Sequence, residues 1–158
     1  MVSKDEFRSG MARFATGVTI VTTLDHQGSL HGMTANSFTS VSLTPPLALV
    51  CVDFRTHTHN FIKSLGAFGV NVLSQEQQEI GAYFARKPQD RLGTPFQHRL
   101  SEMGLPMIEG SMAYFGCRVV DAHVHGDHTI YIGSVDEMAL GNKANPLLYY
   151  ESRFTNLG

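Results

Sequence analysis

Residues 31–53, HGMTANSFTSVSLTPPLALVCVD, cannot be helical through their middle, and that constrains the chain more than any other stretch. Pro45 and Pro46 lack the amide hydrogen a helix needs and push the residue before each toward extended backbone, so they fix an extended corner. Leu30–Ser37 before them reads as a strand, and Leu47–Val52 after them is an apolar run of strand length. The segment leading into the corner is small and hydroxylated: Gly32, Thr34, Ala35, Asn36, Ser37, Thr39, Ser40 and Ser42. Small residues let a ligand approach the backbone, and Ser, Thr and Asn carry short hydrogen-bonding groups. Two readings stay open on composition: the wall of a pocket for a polar, planar ligand, or a Ser/Thr-rich strand and turn that binds nothing.

The rest of the chain supplies more strands and a few helices. Ser3 and Glu6 have capping-box spacing, and Phe7, Met11 and Phe14 follow on one helical face, with the helix ending near Ala15. Val18–Leu24 is dense in β-branched residues, and 25–28 reads as its hairpin turn. The polar 54–60 segment becomes a short helix capped by Thr58 or Asn60. Phe68–Leu73 reads as a strand, and a helix starting at Ser74 runs to about Phe84 with Ile80 and Phe84 inward. Arg86–Gly104 is a long polar loop, Ser111–His125 and Thr129–Met138 form a hairpin, and Leu147–Tyr150 is a last strand before a polar tail. Six or seven mostly antiparallel strands with two or three helices give a mainly β fold, a barrel with peripheral helices, in one domain over 1–158.

Composition excludes several classes. Charged residues are 16% of the chain, apolar residues 42%, and the net charge is −2, which offers no footprint for nucleic acid or an anionic membrane. No apolar run nears the roughly 20 residues of a bilayer span, and MVSKDEF does not read as a signal peptide. Cys51 and Cys117 lie alone in apolar runs, as expected of buried thiols in a reducing cytoplasm. Neither a G-x-G-x-x-G fingerprint nor a P-loop is present, so any nicotinamide or nucleoside ligand must bind in another way. His123 and His125 share a strand face, but no third ligand or metal-binding spacing joins them; imidazoles on a hairpin are the plainer reading, and no metal is expected. Cys51 reads as a core or pocket-wall residue, since no G-x-S-x-G elbow or activated-thiol setting accompanies it. Arg86-Lys87, just past a helix, suits either a phosphate or a solvated helix end, and Arg55–Thr58 is a further group of anion-friendly donors.

GMTANSFTSVSLTPPLALVCVD, the later GDHTIYIGSV and the closing PLLYYESRF together resemble the short-chain flavin reductases, the flavin reductase-like class of FMN-binding split β-barrels. The resemblance implies a homodimer that uses NADH or NADPH to reduce FAD or FMN, and a partner monooxygenase that receives the reduced flavin. It also implies roles for residues. Thr34, Ala35, Asn36 and Ser37 would contact the flavin ring, and Ser40 its ribityl or phosphate part. Cys51, Asp53, Arg55, Thr56, His57 and Thr58 would flank the same ligand, with Phe84, Arg86 and Lys87 near its phosphate. His128, in the Gly-Asp-His turn, would face the nicotinamide, with Tyr150 and Arg153 as neighbours. An electron carrier or flavin store on the same barrel is the alternative; an oxidase of pyridoxal-type phosphates would need more phosphate-binding cations than Arg55, Arg86 and Lys87.

Overall fold

The computed structural model describes residues 1–158. In chain order the elements are α1 (Lys4–Met11), β1 (Thr16–Gly17), β2 (Thr19–Leu24), β3 (Leu30–Ala35), β4 (Thr39–Leu43), β5 (Pro46–Asp53), α2 (His57–Leu65), β6 (Ala67–Val72), α3 (Gln78–Ala85), β7 (His98–Leu100), β8 (Pro106–Ile108), β9 (Ala113–His125), β10 (His128–Leu140), β11 (Leu148–Tyr150) and β12 (Arg153–Thr155). Seven strands form one antiparallel sheet in the order β3-β2-β6-β9-β10-β5-β4. β1, β11 and β12 form a small sheet beside it, and β7 pairs with β8. No helix is long and apolar enough to cross a membrane.

The large sheet curls into a split barrel whose seam is the break between its edge strands β3 and β4, at residues 36–38. Residues 36–38 leave the ladder after Ala35, and there the Ser37 side chain takes over the role of a strand pair. Its Oγ accepts from Cys51 N–H at 3.1 Å and donates to Cys51 C=O at 3.0 Å. Inside the barrel, Val21, Val50, Val52, Ile62, Phe68, Val70, Cys117 and Tyr131 are buried together. Gly133 and Gly69 make that packing possible: a Cβ on Gly133 would lie 2.7 Å from Cys117 Cβ, and one on Gly69 would lie 2.6 Å from Thr22 Oγ1. A second core of Val18, Ile20, Leu73, Ile80, Phe84, Ile108 and Leu147 seats α3 on the outside of the barrel. The buried Asn71 amide donates to Ile20 C=O and accepts from Ile108 N–H, so it is paired in both directions.

Several sequence expectations change here. The hydroxylated run before the corner is a strand, β4, hairpinned to β5 through Thr44–Pro45; four of its five residues are exposed, so no inward apolar alternation marked it. The N-cap of α2 is Thr56, which accepts from His59 N–H, while Thr58 is buried within the first turn. The polar tail forms β12, turned back from β11 through Glu151 and Ser152, both at positive φ. The 86–104 loop carries β7 and a short 3-10 turn at Pro88–Asp90. The capping box at Ser3–Glu6 forms as read, yet no residue of α1 is buried.

Candidate functional site

Three adjoining depressions follow the line of β3 and the seam. The first, of about 410 Å³, is lined by His31, Thr34, Arg55, Thr56, His57, Thr58, Phe84 and the Ala85–Gln89 and Arg91 segment. The second, of about 270 Å³, shares Thr34 and Ala85 with it and adds Val18, Ala35, Asn36, Tyr149 and Phe154. The third, of about 720 Å³, shares Asn36 and Tyr149 with the second and runs under α1 past Phe14, Thr16, Ser37, Phe38, Thr39 and Cys51. The shared residues make one elongated trough with a basic end, a flat apolar middle and a mixed end.

The basic end holds four of the chain's twelve Lys and Arg residues, Arg55, Arg86, Lys87 and Arg91, and no carboxylate lines it. Asp53 lies just outside and grips Arg55 with both oxygens, Nη2 to Oδ2 at 2.6 Å and Nε to Oδ1 at 3.0 Å. That fork holds the Asp53 carboxyl well below the usual carboxylate range and fixes the direction of the guanidinium. His31 Nε2 shares a hydrogen bond with Thr58 Oγ1 at 2.9 Å. Burial, reinforced by the nearby Arg91 and His57, lowers the His31 pKa to about 4, so its ring is neutral at physiological pH.

Through the middle, the side chains of the Thr34–Ser37 run divide by task. Thr34 Oγ1 donates to Gly81 C=O at 2.6 Å and ties β3 to α3. Ser37 closes the seam. Asn36, between them, is exposed and lines both depressions, and its amide enters none of the chain's side-chain hydrogen bonds. Tyr149 and Phe154, edge to face with centroids 6.0 Å apart, form the opposite wall. Burial raises the pKa of the half-buried Cys51 thiol, so it is a neutral wall residue.

Of the residues singled out from sequence, the trough gathers Thr34, Ala35, Asn36, Ser37, Cys51, Arg55, Thr56, His57, Thr58, Phe84, Arg86 and Lys87. It leaves out five. Ser40 is exposed on β4, where its neighbour Thr39 lines the trough instead. Tyr150 and Arg153 fall on the face opposite Tyr149 and Phe154, because successive strand residues alternate. Asp53 acts on Arg55 and is not itself a wall. His128 is cross-strand from Asp53 on the rim, its Nδ1 2.7 Å from Asp127 Oδ1. Sequence reasoning missed Thr16, Tyr149, Phe154 and Arg91; for the two aromatics, strand alternation was the usable signal, and for Arg91 there was none.

An orphaned atom tests what the trough accepts. Thr16 Oγ1 is buried without a partner, and Thr16 lines the mixed end. A flat ligand with polar edges and an anionic tail fits all three parts: cations at one end, apolar walls across the middle, and Asn36 and Thr16 with free polar groups.

Fold and trough together define a split-barrel protein with an elongated site for a planar, anion-tailed ligand. A family model described as the flavin reductase like domain matches residues 11–158, and the chain belongs to that family. It is similar to an NADH-dependent flavin reductase of a Rhodococcus species, with 38% identity over 95% of this chain and 84% of that protein. It is also similar to the reductase subunit HsaB of a flavin-dependent monooxygenase from Mycobacterium tuberculosis, with 37% identity over 96% of this chain and 81% of that protein. The solved structure of the NADH:FAD oxidoreductase SgcE6 from Streptomyces globisporus, in complex with NAD and FAD fragments, superposes with a TM-score of 0.90 at 35% identity, covering 99% of this chain and 93% of that one.

Proposed function

We propose that this protein is an NADH-dependent flavin reductase that transfers hydride from NADH to FAD or FMN and supplies the reduced flavin to a separate flavin-dependent monooxygenase. The observation that carries the reading is the trough, in which a carboxylate-free basic end joins a flat apolar channel past the free amide of Asn36. The relatives, named as NADH-dependent reductases and as a monooxygenase reductase subunit, support it.

A bound flavin would supply the hydride acceptor, and NADH the hydride. The chain's work is then placement. Arg55, Arg86 and Lys87 would hold the phosphate. Val18, Ala35, Tyr149 and Phe154 would flank the ring and exclude water. Asn36 and the adjacent backbone offer donors to the ring's polar edge, where negative charge collects on reduction. His128, oriented by Asp127, is the rim contact for the nicotinamide half of NADH, and no side chain need act as a general base.

Two further parts belong to the same reading. A second copy of the chain covers the exposed Phe7 and Met11 of α1 and Phe14 in the turn just beyond it, making a homodimer. The free thiols of Cys51 and Cys117 support a reducing, cytoplasmic setting. The test is steady-state NADH oxidation with riboflavin, FMN and FAD side by side. Oxidation that depends on added flavin is expected; a protein that holds flavin but never oxidises NADH is a carrier, and the proposal is then wrong.

A further inference from the structure

We propose that Arg91 is the positioning residue of the basic end: it fixes the two exposed cations beside it and so sets the preference for phosphorylated flavins over riboflavin. The inference rests on the flavin reading above. Arg91 Nη2 donates to Gly32 C=O at 3.0 Å and to Phe84 C=O at 3.3 Å, and Nε donates to Arg86 C=O at 3.2 Å. These three acceptors belong to separate segments: β3, the last turn of α3, and the first residue beyond that helix. Carbonyls at a helix C-terminus lack partners within the helix and favour a cation, so one guanidinium satisfies two needs at once.

The plane of the group is used as well as its donors. Its central carbon sits 5.1 Å from the Phe84 ring centroid and 5.5 Å from that of Tyr83. Gly32 keeps the approach open, since a Cβ there would lie 2.9 Å from Phe84 Cε1. Arg86 and Lys87 are exposed and have no ion-pair partner, so nothing at their own tips holds them over the depression. What holds them is backbone: Arg91 grips the Arg86 carbonyl, and the turn that follows closes from Asp90 N–H to Lys87 C=O at 2.9 Å. A lysine offers a compact charge without the planar fork, and cannot stack and reach all three carbonyls together.

The experiment measures flavin KM at saturating NADH, with FMN and with riboflavin, for the wild type, R91A, R91K and the double variant R86A/K87A, with Tm recorded for each. The wild type is expected to have a lower KM for FMN than for riboflavin. R91A is expected to raise the FMN KM about tenfold and bring the FMN-to-riboflavin ratio close to that of R86A/K87A, and R91K is expected not to restore it. An R91A variant that loses Tm but keeps the ratio marks a merely structural arginine and overturns the proposal. So does an R91K variant with wild-type values, or a loss of preference in R86A/K87A alone. A wild type indifferent to the phosphate overturns the assignment of this end of the trough itself, and the Arg91 proposal falls with it.

Discussion

On the proposed reading Asn36 would carry the polar contact to the ring, because the hydroxyls on either side of it are already engaged within the chain. Asn36→Leu is therefore expected to raise the flavin Kd about tenfold, the worth of one good hydrogen bond to a polar ring edge, while Tm stays near the wild-type value. Titration by quenching of flavin fluorescence, with a thermal melt alongside, checks both halves. His31 makes a different kind of contribution. Its pKa is about 4 in the folded chain against an ordinary 6.5, so between those values the unfolded state binds a proton the folded state does not. Stability is expected to fall as pH drops from about 6.5 to 4 and to level off below; His31→Gln should flatten that part of a denaturation-versus-pH curve. At this scale the sequence was informative about residue type and silent about partners. It displayed Thr34, Asn36 and Ser37 as equals, and only the fold ties Thr34 to α3 and Ser37 to the seam and leaves the Asn36 amide unengaged.

Elements with an internal rule were legible, and elements defined by their neighbours were not. The Ser3–Glu6 capping box, the turn at Gly28 and the long β9–β10 hairpin follow from local chemistry and appear where the residues place them. β4 and β12 lack a buried alternating face, and exist because β5 and β11 offer them an edge. The same dependence explains the Tyr150 and Arg153 assignments: a one-residue error on a strand moves a side chain to the other face, and which face meets the trough is decided by pairing across the small sheet. Gly133 shows how tightly the pairing is held. Gly133→Ala would press a methyl group against Cys117 and Phe68, and a destabilisation of about 2–3 kcal/mol by chemical denaturation is expected. At the seam, Ser37→Ala removes both bonds to Cys51 and is expected to cost about 2 kcal/mol by the same measurement, with Ser37→Thr restoring part of it.

At the scale of the whole molecule, the exposed aromatic and methionine surface of α1 and the turn after it stands beside the mixed end of the trough, since Met11 and Phe14 belong to both. Sedimentation velocity should find a dimer in the wild type, and F7S/F14S should shift it toward monomer and weaken flavin binding in parallel. The barrel itself is joined unevenly. Six of its strand junctions are backbone ladders, with register shifts in β9–β10 and β4–β5, whereas the seam is joined at Ser37 by one hydroxyl. A joint of that kind opens at lower free energy than a ladder, so local breathing of the native state concentrates there. The amides of Asn36, Phe38 and Cys51 should then exchange with solvent well before those of β6 and β9, and slow when flavin occupies the trough. If the trough holds flavin as proposed, its wall is also the part of the barrel best able to let the flavin go, as delivery of reduced flavin to a separate monooxygenase would require.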